Sequence, residues 1–378
     1  MRKKKIVIIM SALNGGGAEK VLIDYLRNFN YSKYEIDLCL VINEGIYLKD
    51  IPNEVNKYYL YPKFSIFPYR IEHWFSKFLN WNYFQKRRVD TIFKNKKYDA
   101  VLSFMEGTPL KFHQYFIKKS KRHITWIHID LFKFHYSLSN FKNPKQELSL
   151  YNQMNTLVFV SNESANQFDK LYQVNAEKKI IYNLIDKATI LKGIDVNVKK
   201  NDSQLIKIVA VGRLEIQKRF DRLINVAKLL KEQGLIFQIS IIGEGSLREQ
   251  LQNQIQENNV ADNVNLIGFV KSPYNIINEN DILVVTSEAE GFSLVVAEAL
   301  CLGKAVVSTA TAGPVELLEN GKYGIVCDHN VESISNAVKS LIIDKNLLIK
   351  YQELALQRSA IFDVKKSIQE FESIICNG

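Results

Sequence analysis

The sequence predicts an α/β protein made of two doubly wound domains. A chain of 378 residues is too long for a single ordinary core and suits two domains of about 180 residues each. Short apolar strands alternate with amphipathic helices in both halves, as in parallel sheets covered by helices. A polar stretch of poor periodicity separates the halves. We therefore expect a first domain over 1–188, a linker over 189–203, a second domain over 204–360 and a final helical segment over 361–378.

The first strand and the turn after it open the first domain. A continuous apolar run covers 5–10, and a glycine turn then precedes a helix predicted over 21–29. The glycines of this turn are Gly15, Gly16 and Gly17. They would let the backbone approach a ligand closely, and the helix would present free amides to it. A merely flexible turn is the alternative, because the pattern matches neither of the known phosphate-binding glycine motifs.

Two polar residues directly follow buried strands of the first domain. These strands are predicted over 36–42, 100–104, 123–127 and 157–161. Glu106 follows the second of them and His128 the third, where open α/β sheets keep their ligand sites. Both residues are therefore candidates for a site. For His128, a structural histidine bonded to a turn carbonyl is an equal alternative.

A basic and aromatic stretch covers residues 63–97. The chain has a formal net charge of +10, and the excess is concentrated in its first half. Cations beside aromatic side chains at roughly helical spacing are typical of a helix that lies on an anionic bilayer. An ordinary amphipathic helix whose aromatics face its own domain is the alternative. No nucleic-acid-binding motif accompanies the charge, so no nucleic-acid partner is expected.

The rest of the composition indicates a protein of a reducing compartment. No apolar run approaches the ~18 residues that a bilayer span needs. The apolar run at the N-terminus is followed by a glycine turn and not by the cleavage site of a signal peptide. The four cysteines are scattered and form no Cys-x-x-Cys pair. We expect a cytoplasmic protein that is peripheral on the inner face of the cell membrane.

The first loop of the second domain carries two cations. A strand is predicted over 205–211 and a helix over 221–233, and Arg213 and Lys218 lie between them. Their obvious use is to hold a diphosphate, since arginine grips it with a planar fork and lysine adds a point charge. Two solvated cations without a ligand are the alternative.

The stretch from Thr286 to Leu300 is the one that the rest of the chain is expected to serve. Glu290 stands at the end of a short apolar strand. The amides that precede the next helix N-terminus are those of Gly291, Phe292 and Ser293. Glu298 lies eight residues after Glu290, about two helical turns on, which can bring both carboxylates to one side of a ligand. Two such acids suggest recognition of hydroxyl groups, and two ordinary surface acids are the alternative.

Six short motifs occur in order along the chain. They are Gly15-Gly-Gly-Ala-Glu, Val211-Gly-Arg-Leu-x-x-Gln-Lys-Arg-Phe-Asp-Arg-Leu-Ile, Ile242-Gly-Glu-Gly, Ile267-Gly-Phe-Val, Ser287-x-x-Glu-Gly-Phe-Ser-Leu-x-x-x-Glu-Ala and Thr309-x-x-x-Gly-Pro-x-Glu. Together they resemble the retaining GT-B glycosyltransferases of family 4. The resemblance implies two facing Rossmann-like doubly wound domains, with a nucleotide-sugar donor in the ligand cleft between them.

The resemblance also implies a role for individual residues. Arg213 and Lys218 would bind the donor diphosphate and stabilise it as it leaves. Glu298 would accept hydrogen bonds from the ribose hydroxyls, and Glu290 would hold the transferred sugar. His128 matches the family's histidine near that sugar. The other donor-binding positions would be Gly16, Gly17, Phe269, Val270, Gly291, Phe292, Ser293 and Leu294.

The implied reaction needs neither a metal nor a dedicated protein base. Family members retain the anomeric configuration, by attack on the face that the leaving group departs. His128 is therefore assigned to sugar positioning or charge stabilisation, with Glu106 as a second candidate for the same region. The sequence contains no Asp-x-Asp, so no metal is expected on the diphosphate, and Arg213 and Lys218 would take its place. No cofactor is expected.

The expected partners are a nucleotide-sugar donor and a glycan or lipid-linked glycan acceptor. The donor would be a UDP-hexose or a UDP-N-acetylhexosamine, and the product would form part of an envelope polysaccharide. A UDP-sugar epimerase on the same fold is one alternative. A non-catalytic GT-B partner subunit is another, against which the presence of Arg213, Lys218, Glu290 and Glu298 argues.

Overall fold

The structure is a computed structural model that describes residues 2–62, 66–79, 81–195 and 204–376. The chain divides into unit 1, Met1–Leu184 with Val364–Gly378, and unit 2, Ile185–Asp363. Each unit is built on one parallel sheet with helices beside it. The fold is thus α/β with a doubly wound sheet in each unit, as the alternation of strands and helices predicts.

Within the described residues, the sheet of unit 1 has seven parallel strands. They are β1 Lys4–Met10, β2 Tyr34–Ile42, β3 Asn56–Tyr61, β4 Ala100–Ser103, β5 His123–Ile127, β6 Thr156–Phe159 and β7 Glu177–Ile180. Their order across the sheet is β3, β2, β1, β4, β5, β6, β7, so the strand order reverses between β1 and β4. The carboxyl ends of strands at such a reversal are where open α/β sheets bind ligands.

The helices of unit 1 cover this sheet, which is why β1 carries a continuous apolar run. Those that precede β7 are α1 Gly17–Asn28, α2 Ile66–Phe78, α3 Tyr83–Ile92, α4 Thr108–His113, α5 Pro144–Tyr151 and α6 Asn162–Leu171. Residues Ile6 to Met10 have no exposed surface, and the alternate residues Val7 and Ile9 belong to a cluster that also contains Phe93 and Phe112.

In the part of unit 2 that the structure describes, the sheet has six parallel strands. They are β8 Ile206–Val211, β9 Phe237–Ile242, β10 Val264–Gly268, β11 Ile282–Val285, β12 Ala305–Thr309 and β13 Ile325–Cys327. Their order is β10, β9, β8, β11, β12, β13, with the reversal between β8 and β11. The helices are α7 Lys187–Lys192, α8 Phe220–Glu232, α9 Arg248–Glu257, α10 Tyr274–Glu279, α11 Leu294–Cys301, α12 Ala312–Leu317, α13 Val331–Ile343 and α14 Lys345–Arg358.

The last helix, α15 Val364–Cys376, packs on unit 1. Phe371 is fully buried, and its ring centroid lies 4.8 Å from that of Tyr25 and 5.3 Å from that of Trp126. The helical segment predicted over 361–378 is therefore held by aromatic contacts with α1 and β5.

Three local features differ from the sequence-based expectations. The strand β3 was not predicted, because it begins with Asn56 and Lys57 and three of its other four residues are tyrosines, so it carries no aliphatic run. Helix α1 begins at Gly17, four residues before the predicted start, so the last glycine of the turn is helical. The predicted linker begins inside α7, and its residues 196–203 lie outside the described part of the chain.

Candidate functional site

The candidate residues of unit 2 lie in loops at the carboxyl edge of its sheet. Phe269 follows β10, Lys218 lies in the loop after β8, and Glu290 lies in the loop after β11. Because parallel strands all end at one edge, the loops after the adjacent strands β8 and β11 are neighbours, and the loop after β10 lies beyond that of β9. The edge includes the reversal between β8 and β11, so the lysine and the glutamate flank the point where open α/β sheets bind ligands.

Lys218 and Glu290 form an ion pair at this edge. The Lys218 Nζ donates to Glu290 Oε1 at 2.5 Å, and the Ser287 hydroxyl donates to the same oxygen at 2.7 Å. Glu290 is only 8% exposed, while Lys218 is half-buried. Burial of a carboxylate is costly unless such donors pair with it. Ser287 therefore orients Glu290, a role that its place in the sequence motif did not reveal.

Gln217 and Thr286 join the two loops that carry this ion pair. The amide of Glu288 donates to Gln217 O at 2.8 Å, and Gln217 Nε2 donates to Ala289 O at 2.7 Å. The Thr286 hydroxyl donates to Lys218 O at 2.9 Å. Both loops are thus held before any ligand arrives, which preorganises the charged groups. Sequence reasoning assigned no role to Gln217, although it stands beside Lys218 in the motif.

Two glycines allow the loops to approach each other closely. A Cβ on Gly243 would lie 1.8 Å from Gly212 O, and the φ of Gly243 is +151°. A Cβ on Gly313 would lie 2.3 Å from Phe292 O, and the Gly313 amide donates to Glu290 O at 3.0 Å. No larger residue fits either position without moving the backbone. The loops after β9 and β12 therefore pack directly on those that carry Lys218 and Glu290.

Helix α11 places Glu298 and the predicted donor-binding amides. Ser293 is its N-cap in the left-handed region, with φ +70°, and Leu294 is its first residue. Glu298 is 6% exposed and lies about one turn into the helix. Glu290 precedes the helix, so the expected spacing of two helical turns between the acids is wrong. A loop and one turn separate them instead.

The remaining residues predicted in unit 2 lie at the same edge with more exposure. Arg213 is exposed in the loop after β8, and Phe269 is 48% exposed directly after β10, beside the half-buried Val270. The Gly243 amide donates to Gly268 O at 2.9 Å, which fixes this end of β10 to the neighbouring loop. Among the residues that the structure describes, no three side chains of the metal-ligating types come together.

In unit 1, His128 and Glu106 meet at the carboxyl ends of β5 and β4. Glu106 is 1% exposed, and it accepts from the His128 amide at 2.9 Å and from the Tyr136 hydroxyl at 2.5 Å. Burial raises the pKa of the Glu106 carboxyl against the opposing effect of these donors. Each carboxylate oxygen of Glu106 accepts one of these hydrogen bonds, so Glu106 fixes the backbone of His128.

The imidazole of His128 is neutral at physiological pH. Burial lowers its pKa to about 3, against a smaller opposing contribution from the Phe104 backbone. Both ring nitrogens are buried and make no hydrogen bond of good geometry within the described residues. The ring stacks on Trp126, with centroids 5.9 Å apart and an interplanar angle of 13°. The tryptophan thus holds the ring, which offers neutral nitrogens and no charge.

The glycine turn after β1 is closed by a side chain of its own helix. Glu19 Oε2 accepts from the Gly15 amide at 2.6 Å and from the Gly16 amide at 3.1 Å. Gly17 is the first residue of α1. The Glu19 carboxylate thus occupies the amides of Gly15 and Gly16, whereas the amides expected to face a ligand were those of the helix, which begins at Gly17.

Helices α2 and α3 carry an exposed aromatic surface on unit 1. Its members, each exposed by 39% or more, are Phe67, Ile71, Trp74, Phe78, Leu79, Trp81, Tyr83 and Phe84. Phe67, Ile71, Trp74 and Phe78 follow one face of α2 at helical spacing. The alternative that these aromatics face their own domain is thus wrong for this surface. None of the helices in the described ranges combines the length and apolarity that a membrane crossing requires.

Other residues of the basic and aromatic stretch serve the fold. Phe93 is fully buried in the core. Arg88 pairs with Glu72 at 2.7 Å, and Lys96 pairs with Asp37 at 2.7 Å. Residues 63–65 of the stretch lie outside the described part of the chain. The surface is therefore shorter than the predicted 63–97.

Two protein-family profiles match the chain, one for each sheet. The profile described as "Glycosyltransferase Family 4" matches residues 15–189, and "Glycosyl transferases group 1" matches residues 193–358. Together they cover most of the chain. The chain belongs to the family 4 glycosyltransferases. The six sequence motifs are therefore correctly interpreted as those of this family.

Curated relatives resemble part of this chain. A diphospho-undecaprenol 4-alpha-N-acetylgalactosaminyltransferase of Campylobacter jejuni is 31% identical over 190 residues, which are 50% of this chain and 50% of the relative. A poly(ribitol-phosphate) alpha-N-acetylglucosaminyltransferase of Staphylococcus aureus is 27% identical over 204 residues, 53% of this chain and 39% of the relative. The match thus spans half or less of the length of these relatives.

Solved structures share the fold over almost the whole chain. HepE of Anabaena, crystallised with UDP and glucose, has a TM-score of 0.77 at 21% identity, with 99% of this chain and 100% of that chain covered. TarM of S. aureus has a TM-score of 0.76 at 13% identity and the same coverage. The two parallel-sheet units are thus those of the GT-B fold.

Proposed function

We propose that this chain is a retaining glycosyltransferase that uses a nucleotide sugar as its donor. The donor is a UDP-hexose or a UDP-N-acetylhexosamine, and the acceptor is a glycan or a lipid-linked glycan of an envelope polysaccharide. The new linkage has the alpha configuration. Two relatives whose names specify alpha transfer of an N-acetylhexosamine support this proposal. The UDP in the crystals of two structural neighbours supports the choice of nucleotide.

The Lys218–Glu290 ion pair is the observation on which the proposal depends. Cleavage of a sugar diphosphate leaves an added negative charge on the diphosphate and a cationic character on the sugar. A lysine beside a glutamate matches both charges at the reacting bond. A diphosphate that enters this edge would compete with Glu290 for the Lys218 ammonium, which would free the carboxylate for the hydroxyls of the sugar. Exposed Arg213 would add a second cation.

Each remaining residue has a role in this scheme. The first-turn amides of α11 favour a phosphate oxygen. Buried Glu298 would accept from the ribose hydroxyls, and Phe269 would stack on the base. Neutral His128 would donate or accept a hydrogen bond at the sugar, because burial keeps its imidazole uncharged. The departing phosphate oxygen would take the proton of the acceptor hydroxyl as the new bond forms on the same face, so the scheme uses no protein base and no metal.

A donor screen with product analysis tests this function. The purified chain would be incubated with UDP, GDP and ADP sugars, with and without a lipid-linked glycan, and nucleotide release would be followed. We expect acceptor-dependent release of UDP and, by NMR, an alpha linkage in the product. Isomerised donor in the absence of acceptor would establish an epimerase instead. If no nucleotide sugar binds, and Lys218→Ala and Glu290→Ala behave as the wild type, the chain is a non-catalytic subunit.

We also propose that the aromatic surface of α2 and α3 rests on an anionic bilayer. Its apolar side chains are exposed. The cations that lie on or beside it are the exposed Arg70, Lys86 and Arg87 and the half-buried Lys77. Aromatic rings suit the boundary between headgroups and acyl chains, and the cations suit acidic headgroups. This attachment would bring unit 1 to an acceptor carried by a membrane lipid, on the inner face of the cell membrane.

Vesicle sedimentation tests the attachment. Wild-type protein should sediment with vesicles that contain phosphatidylglycerol and weakly with vesicles of phosphatidylcholine alone. Trp74→Glu combined with Arg87→Glu should abolish the difference while leaving thermal stability unchanged, because both side chains are exposed. Lys228→Glu, on an exposed position of α8, is the control. Unchanged sedimentation of the double variant would refute the attachment.

A further inference from the structure

Two hydroxyl groups at the carboxyl edge of unit 2 are buried without a partner. Ser293 Oγ and Thr311 Oγ1 make no hydrogen bond within the described residues, and the two residues are 6% and 5% exposed. Burial of a hydroxyl without a partner costs stability, whereas a methyl group of the same shape would cost nothing. The fold of the described residues gives these two hydroxyls no hydrogen-bond partner.

The backbone of Thr311 is hydrogen-bonded on both sides, because its amide donates to Thr309 O at 2.8 Å and its carbonyl oxygen accepts from the Val315 amide at 3.0 Å. Its hydroxyl makes no hydrogen bond within the described residues. The Ala310 amide donates to Cys327 O at 2.9 Å, and a His329 ring nitrogen lies 3.3 Å from Ala310 O. The Thr309 hydroxyl donates to Ser287 O at 2.7 Å. Thr311 is the N-cap of α12, yet its side chain makes no capping hydrogen bond. A branched side chain on so fixed a backbone presents its oxygen in a defined direction.

Ser293 occupies a backbone conformation that glycine would adopt more easily. Its φ of +70° lies in the left-handed region, which is strained for a residue with a Cβ. The serine is the N-cap of α11, and its hydroxyl also makes no capping hydrogen bond. A strained residue with an unused, buried hydroxyl is typical of a position kept for a ligand.

The two hydroxyls belong to loops that touch beside Glu290. The Gly313 backbone packs on that of Phe292, the neighbour of Ser293, and the Gly313 amide donates to Glu290 O. Thr311 lies two residues before this contact and Ser293 one residue after it. The N-terminus of α11 begins at the same place and favours an anion over a neutral group. A ligand at this point would meet two hydroxyl donors and helix amides together.

We propose that Ser293 and Thr311 donate their hydroxyl hydrogens to phosphoryl oxygens of a nucleoside diphosphate. The inference rests on the proposed function and extends it, since it adds Thr311 to the residues that hold the donor and gives the Ser293 side chain a role besides that of its amide. Phosphoryl oxygens are strong acceptors, so charge-assisted hydrogen bonds would satisfy both hydroxyls.

Calorimetric titration with UDP tests the assignment on the full chain. Thr311→Val keeps the shape and removes the hydroxyl, and Ser293→Gly removes the hydroxyl while suiting the positive φ. Each variant should weaken UDP binding by about tenfold, as the loss of a hydrogen bond to a charged group predicts. Ser335→Ala is the matched control, because Ser335 Oγ is also buried and unpartnered but lies within α13. It should bind UDP as the wild type does.

Thermal unfolding without ligand separates binding from a structural role. Thr311→Val should melt at the wild-type temperature or above, since it removes a buried hydroxyl that has no partner. A lower melting temperature of the ligand-free variant, together with unchanged UDP affinity, would overturn the proposal. Weaker binding of a UDP-sugar with unchanged binding of UDP would place the hydroxyls on the sugar and also overturn it.

The same titration distinguishes this inference from the proposed function. If the wild type binds UDP but both variants bind it equally well, the assignment of the hydroxyls fails and the donor site stands. If the wild type binds no UDP, ADP or GDP, both fail together.

Discussion

The carboxyl edges of the two sheets are alike in architecture and opposite in their use of charge. In unit 2, Lys218 is half-buried and its ion pair with Glu290 is shared with a single serine, so a ligand can take over the lysine. In unit 1, Glu106 is enclosed by Tyr136 and the His128 amide, and His128 itself is neutral. The edge of unit 2 thus offers a lysine ammonium that a ligand can take over from Glu290. The edge of unit 1 offers neutral hydrogen-bonding groups.

This difference teaches that the loops, and not the sheets, decide the chemistry of each unit. Both sheets reverse their strand order beside the first strand and end in glycine-containing turns. After β1, Glu19 takes the amides of the turn, whereas after β8 the glycine backbone supports the stem of Lys218. A charged diphosphate therefore suits the edge of unit 2, and an acceptor with neutral hydroxyls suits that of unit 1.

Removal of the Lys218 side chain should have the largest effect on activity, because unit 2 depends on charge where unit 1 does not. Lys218→Ala should lower kcat by about 100- to 1,000-fold, as expected for the loss of a preorganised group that stabilises charge in the transition state. Lys228→Ala, on an exposed position of α8, should leave kcat unchanged. Steady-state rates with a UDP-sugar measure both. An unchanged kcat for Lys218→Ala would contradict the contrast between the two units, because the charge of Lys218 would then play no part in the reaction.

The two acids of unit 2 should separate in their kinetic effects. Glu290→Gln should lower kcat by roughly 100-fold, because it weakens interactions with the sugar as charge develops. Glu298→Gln should chiefly raise the KM for the donor, since a ribose contact is made equally in the ground and transition states. The ratio of kcat to KM effects for each variant is the measurement. Identical kinetic profiles would contradict the assignment of different roles.

A methyl group added at a glycine where two loops meet should destabilise either unit, but it should weaken nucleotide binding only in unit 2. Gly243→Ala would place a Cβ 1.8 Å from Gly212 O, and Gly45→Ala in unit 1 would place one 2.0 Å from Leu13 O. Both should lower the free energy of unfolding by about 1–3 kcal/mol. Under conditions where the variants remain folded, only Gly243→Ala should weaken UDP binding. Equal loss of UDP binding in both variants would contradict the assignment of the nucleotide to the edge of unit 2.

Acid should destabilise unit 1 through His128, which is one of several histidines of this unit whose pKa burial lowers. The pKa of about 3 in folded His128 lies below the usual value of ~6.5, so the folded state binds fewer protons. The contribution of His128 to the free energy of unfolding is fully present above about pH 6.5. It falls by about 1.4 kcal/mol per pH unit as the pH decreases towards about 3. Urea unfolding at a series of pH values measures the slope, and His128→Phe should reduce it. A slope unaltered by that variant would place the acid sensitivity elsewhere.

Much of this fold could be predicted because buried parallel strands have a plain sequence signature. The strands His123–Ile127 and Phe237–Ile242 were located to the residue from their large apolar side chains, which pack under the helices that cover the sheets. The strand Asn56–Tyr61 was missed because it begins with two polar residues and consists otherwise of three tyrosines and one leucine. At the site, Lys218 and Glu290 could be named from their motifs, but their pairing could not. Contacts such as Ser287 with Glu290, or Glu19 with the glycine amides, depend on how the loops fold against each other.

Calorimetric titration of the full chain with UDP, for the wild type and Lys218→Ala, tests the central claim most directly. The account predicts saturable one-to-one binding by the wild type and at least about tenfold weaker binding by Lys218→Ala, because the lost cation no longer meets the diphosphate. Binding that Lys218→Ala leaves unchanged, or no binding by the wild type, would contradict a donor site at the carboxyl edge of unit 2.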